Sequence, residues 1–201
     1  MKATPLVEWP LHQNWLAAPE PGLQPGVVRL NWSENALLVE AELTDLDIFN
    51  PITGFNQVAY GDGDVFEIFI RPEAQPAYYE IHVTPHNQVL QLRWKDADAI
   101  RGPKPSGTRD QVLAPFKVDH ARITSETRID TAANKWFVRA EVPFALIMET
   151  GQIQPGARWF CSFCRYDYTR GRQQPVVSST SPHTVCNFHR QQEWQPIEFP
   201  G

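Results

Sequence analysis

"DGDVFEIFIRPEAQPAYYEIHVTP", residues 62–85, decides how the chain is built. In "DVFEIFIRP" the side chains of Phe66, Ile68 and Ile70 fall on one face of an extended chain, and those of Val65, Glu67, Phe69 and Arg71 on the other, because successive Cβ atoms alternate. After "PEAQPA" the pattern returns in "YYEIHVTP", with Tyr79, Ile81 and Val83 against Tyr78, Glu80 and His82. Two such runs joined by a short Pro-bounded connection read as an antiparallel pair. The next run, "VLQLRWK", is read with Leu90, Leu92 and Trp94 on the apolar side and Gln91, Arg93 and Lys95 on the polar side. That completes a meander with one apolar and one charged face.

Further strands are predicted at "VVRLNW", "ALLVEAELTD", "FKVDHARIT", "KWFVRAEVP", "ARWFCSFCRYDY" and "EWQPIEF". One short helix fits "PFALIMETG", where Pro143 suits the first turn and Gly151 the exit. The Pro-rich arm before Val27 and the Ser- and Pro-rich tail from Gln173 read as loop, and residues 96–115 as an excursion. About nine strands, one helix and no internal repeat predict a single domain over residues 1–201, an all-β antiparallel β-sandwich with its apolar stripes turned inward.

A chain of 201 residues, 42% apolar, can bury one substantial core. Its 18 basic and 23 acidic side chains are intermixed, with a net charge of -5. They lack the one-signed field of a nucleic-acid binder, so nucleic acid is not an expected partner. No apolar run is long enough for a membrane span, and none of signal-peptide length follows Lys2. The expectation is therefore no membrane association, and residence in the cytoplasm unless a leader has been removed. Phosphate-loop, nucleophile-elbow and zinc-protease motifs are absent. Cys161 and Cys164 sit three apart on a predicted strand and point to opposite faces, so they and Cys186 read as thiols rather than a zinc site.

Asp45 and Asp47 in "TDLDIF" and Asp62 and Asp64 in "GDGD" lie where loops meet strands. They form a candidate set for calcium, which takes several hard oxygen ligands. Glu40, Glu42, Glu67, Arg71, Glu80, His82, Gln91, Arg93, Arg139 and Glu141 are read as sharing one face. Such planar donors and acceptors, beside an aromatic plate, suit the hydroxyls and the apolar face of a sugar ring. Trp94, Trp136 and Trp159 fall on core stripes, which leaves Trp9, Trp15, Trp194 and Tyr78 as candidate plates. Two other readings stay open. Glu67 and Glu80 could be a carboxyl pair at the separation used for glycoside hydrolysis, or the polar face could be the internally paired surface of a structural or protein-interaction sandwich.

The order of segments resembles a family-nine carbohydrate-binding module of the stand-alone bacterial type. The likeness rests on "YGDGDVFEIFIRP" with "YYEIHVTP", on "KWFVRAEVPFALI", on "RWFCSFCRYDY" and on "SSTSPHTVCNFH". It implies a β-sandwich that binds carbohydrate without catalysis, such as a mono- or oligosaccharide or the chain end of a plant polysaccharide, commonly with structural calcium. By motif match the resemblance implies sugar-binding roles for Glu67, Arg93 and Asn187; joined with the polar face, the aromatic candidates and the matched segments, the expected ligand-binding set is Glu67, Tyr78, Glu80, Arg93, Arg165, Asn187, His189 and Trp194. Where the family often has a tryptophan in the Ser-Pro segment this chain has Thr180, so Trp194 is the candidate for an aromatic wall.

Overall fold

The structure, a computed structural model, describes residues 7–102, 106–118, 123–148 and 151–199. Within them, the first sheet holds β1 (Val7–Pro10), β2 (Gly26–Trp32), β3 (Ala36–Thr44), β7 (Thr124–Asp130) and β8 (Lys135–Pro143), in the order β1-β2-β3-β8-β7. The second holds β4 (Val65–Pro72), β5 (Tyr78–Val83), β6 (Val89–Trp94), β9 (Arg158–Asp167) and β10 (Val176–Ser179), in the order β10-β9-β4-β5-β6. β11 (Gln195–Glu198) also pairs with β9. All pairings are antiparallel, giving the all-β sandwich expected from the alternation.

The core forms where the inward stripes meet. Val39, Ala41, Trp136, Val138 and Ala140 of the first sheet share one cluster with Phe66, Ile68, Ile70, Ile81 and Phe163 of the second. Register places Ile68 between Ile81 and Phe163, and Phe66 stacks on Phe163 at 6.1 Å. Full burial of each large apolar side chain contributes about 1.5–3 kcal/mol.

The second sheet is buried on its other face as well. Phe69, Tyr78, Leu90, Leu92 and Trp94 pack there against Leu113, Phe188 and Trp194. Leu113 ends α1 (Arg109–Leu113), whose start is fixed by a capping box between Thr108 and Gln111. Phe188 and Trp194 come from the tail, which Glu193 gathers. Its carboxylate accepts from Arg190 Nε and Nη2 (both 2.7 Å), Thr184 Oγ1 (2.7 Å) and His183 Nδ1 (3.1 Å). The excursion and the tail therefore form a roof over the second sheet.

Several expectations are corrected. Tyr78 pairs with Trp94, Glu80 with Leu92 and His82 with Leu90, so Leu90, Leu92 and Trp94 lie on the roofed face with Glu67, while Gln91 and Arg93 point the other way. Both faces of β6 are largely buried, so apolar alternation could not set its parity; the β5–β6 turn, with Asn87 at φ 59, did. The ten polar residues accordingly do not share a face. Glu40, Glu42, Arg139 and Glu141 belong to the first sheet.

The strand expected at "FKVDHARIT" is displaced. Phe116 ends a 3-10 turn and Lys117 makes one isolated bridge to Leu92; residues 119–122 lie outside the described ones, and β7 starts at Thr124. Its outward residues are polar, the pattern of an edge strand, which apolar periodicity does not register. β1 and β10 occupy segments read as loop. The predicted helix is α2 (Phe144–Ile147), and α1 was not foreseen.

Candidate functional site

Between the two halves of the roof a cleft of about 630 Å³ opens onto β4, β5 and β9. Glu67, Glu80, Phe69, Trp94 and Tyr166 form its floor; Tyr60, Arg109 and Leu113 line one side, and Asn187, Phe188 and His189 the other. Arg109 lies 5.6 Å over the ring of Tyr60 and 3.9 Å from Asp62.

The polar groups of the floor are buried and tied to one another. His82 Nε2 is 2.8 Å from Glu80 Oε1 and 3.2 Å from Glu67 Oε1. Trp94 Nε1 donates to Glu80 Oε2 at 2.7 Å, and His189 Nδ1, 2.8 Å from the Tyr78 hydroxyl, lies 3.9 Å from the same oxygen. Burial pushes Glu67 up to about 8, with His82 opposing and Glu80 adding to the rise. For Glu80, burial is more than offset by His189, His82 and Trp94, which hold it below the ordinary range. His82 is depressed by burial but raised overall by the two carboxylates.

Of the ligand-binding residues expected from sequence, Glu67, Glu80, Asn187 and His189 are brought together around the cleft. Tyr78 and Trp194 pack beside the cleft rather than lining it, edge to face at 5.4 Å, with Trp194 Nε1 donating to the Phe188 carbonyl at 2.8 Å. Arg93 is exposed and pairs with core-facing Tyr79, so it points away from the cleft. Arg165 faces inward at the end of the sandwich, where Nη1 donates to the Thr44 carbonyl at 2.6 Å. Trp94, Tyr60, Tyr166 and Arg109 were not foreseen in the cleft; the T-x-x-Q capping signal around Arg109 was the one readable clue.

Ser162, His183 and Glu193 follow one another at 3.4 and 3.1 Å in the order of a nucleophile, base and acid. Ser162 is fully buried beneath the tail, hydrogen-bonded to Ser179 at 3.1 Å. Its hydroxyl has no approach for a substrate, and the set reads as a polar tie between β9 and the tail.

Where β4 begins and β9 ends, Asp45 and Asp64 converge with Asp167, all three buried and with ligand atoms within 4.8 Å of one another. Gly63 makes this possible: a Cβ there would lie 2.7 Å from the Phe49 carbonyl, against which the loop must close for Asp64 to accept from Phe49 N at 2.7 Å. Arg165 Nη2 is 3.0 Å from Asp45 and 3.1 Å from Asp167, but out of line for hydrogen bonding, so Oδ2 of each aspartate is buried without a hydrogen-bond donor. Three buried carboxylates meet the Arg165 guanidinium, with Arg172 adding a weaker attraction at Asp167. Burial, then Asp45, raises Asp64 to about 8, and burial raises Asp167 to about 7 against the pull of Arg165. This oxygen-only, charge-deficient set fits a hard divalent cation. Asp47 instead pairs with Arg170, and Asp62 with Arg109. Asp167 was not among the sequence candidates.

No protein-family profile and no curated protein sequence matches the chain. Solved structures do. A candidate carbohydrate-binding protein from Bacteroides uniformis superposes with a TM-score of 0.69 at 16% identity, covering 96% of this chain and 86% of that one. A family-nine carbohydrate-binding module from Caldicellulosiruptor kristjanssonii matches in its cellotriose complex (TM-score 0.60, 16% identity, 92% and 78% covered) and in its glucose complex (0.61, 15%, 92% and 80%). The chain therefore has the β-sandwich fold of family-nine carbohydrate-binding modules.

Proposed function

We propose that the chain binds carbohydrate non-catalytically in the cleft of the second sheet. The observation that carries this reading is the floor itself, where Glu67 and Glu80 stand beside the aromatic side chains of Trp94, Phe69 and Tyr166 under a volume of about 630 Å³. A space of that size suits a small ligand such as one or two sugar rings, and carboxylates beside aromatic planes suit hydroxyls and ring faces respectively. The shared fold with modules bound to glucose and cellotriose supports it. Calorimetric titration with glucose and cellotriose tests it. Arg109→Ala and Asn187→Ala, at the mouth, are expected to weaken binding about tenfold, at roughly 1.4 kcal/mol for a lost polar contact, while Arg93→Ala leaves it unchanged. Absence of binding to either sugar and to longer plant oligosaccharides overturns the reading.

Calcium is proposed as a structural ion held by Asp45, Asp64 and Asp167, where it would supply the positive charge that Arg165 alone does not balance. Binding to the folded chain alone raises stability by about 2.7 kcal/mol at a hundredfold excess over the dissociation constant. Melting in millimolar calcium should therefore exceed melting in chelator, and Asp64→Asn should abolish the difference. Coincident melting curves for the unaltered protein would remove the ion.

A further inference from the structure

We propose that the cleft floor is also a site for a divalent first-row transition ion of the zinc, cobalt or nickel kind, held by Glu67, Glu80 and His82. This inference does not depend on sugar binding. The three side chains come from paired strands: Glu67 of β4 stands directly opposite His82 of β5, and Glu80 lies two residues along on the same face. Strand-borne ligands are held in place by the sheet rather than by a loop.

Around an ion with bonds of about 2.0–2.2 Å, neighbouring ligand atoms lie roughly 3–3.6 Å apart. His82 Nε2 is 3.2 Å from Glu67 Oε1 and 2.8 Å from Glu80 Oε1, so small side-chain shifts would admit the ion. Glu80 is further oriented from behind, because Trp94 Nε1 holds its second oxygen at 2.7 Å, the kind of outer contact that fixes a ligating carboxylate. Charge agrees with the assignment: two carboxylates and a neutral imidazole balance one divalent cation, and the proton shared within the cluster leaves when the ion enters. An imidazole nitrogen among the donors selects this class over calcium, which prefers oxygen. Glu67 and Glu80 face the cleft, so the ion would be reached from that side and keep a position open to water or to a ligand oxygen.

The test uses cobalt(II) as the probe, on folded protein in millimolar calcium. A Cys186→Ser background removes the exposed thiol near the mouth of the cleft. One equivalent of cobalt should produce a visible absorption band that zinc displaces. Glu67→Gln and His82→Ala should each weaken binding by tenfold or more, and Trp94→Phe, which removes the indole N–H that holds Glu80, by about tenfold. Glu67→Gln is close to isosteric, so it decides the matter if His82→Ala does not fold. No band at one equivalent, or a band unchanged in folded Glu67→Gln, overturns the proposal.

Discussion

The outer faces of the two sheets carry similar side chains in sequence and have opposite fates in space. On the first sheet, Glu8, Arg29, Glu42 and Lys135 form a chain of ion pairs in water, with Arg29 Nε 2.6 Å from Glu8 and Lys135 Nζ 2.6 Å from Glu42. Arg128 lies 3.9 Å over Phe137 beside them. On the second, Glu67, Glu80 and His82 are covered by the excursion and the tail. The same residue types thus make a solvated lattice on one face and a buried polar cluster on the other, because among the described residues the second face has a roof and the first does not. What a charged strand does is set by what lies over it.

Substitutions sharpen that contrast. Trp94 is buried on the roofed face, stacked 4.2 Å from Phe116 and holding Glu80. Trp94→Ala should cost about 3–5 kcal/mol in chemical denaturation, whereas Phe137→Ala on the open face should cost about 1 kcal/mol or less. Equal losses would mean that the roof packs no better than the surface lattice.

Glu193 comes next in size. It is the hub of the tail wall, so Glu193→Ala should lower stability by about 1 kcal/mol and weaken sugar binding as Asn187 and His189 lose their position. Arg190, with Thr184 and His183, holds the Glu193 carboxyl well below its ordinary range. A carboxyl depressed in the folded state stabilises fully above its unfolded value near 4.5, and that contribution is lost as pH falls toward the folded value. The gap between unaltered protein and Glu193→Gln should therefore narrow below about pH 4.5. A constant gap from pH 7 to pH 3 would show that the hub acts by shape alone.

The smallest effect belongs to the open lattice. Lys135→Ala should change stability by a few tenths of a kcal/mol, less still in high salt. A loss above 1 kcal/mol that persists in salt would make the open face a structural element in its own right.

Much of the sandwich could be read from alternation, because β3, β4, β5, β8 and β9 each place a run of large apolar residues at every second position. β6 could not, since its leucines serve the roof and not the core, and parity there depends on turn length. β1, β7 and β10 escaped because short or edge strands need no continuous stripe. Of the residues that line the cleft, Glu67, Glu80, Asn187 and His189 were among those named from pattern and likeness. Arg109, Tyr60 and Asp167 were not: Arg109 opens α1, Tyr60 lies in a loop and Asp167 ends β9, and each meets its partners across a long sequence separation that local spacing does not encode.

The most direct test of a binding face beneath the roof is amide hydrogen exchange with and without saturating cellotriose. Slowed exchange at Tyr60, along α1 and through residues 186–189, with β3 and β8 unaffected, is the expected result. Protection confined to β3, β7 and β8 would place the ligand on the open lattice and contradict it.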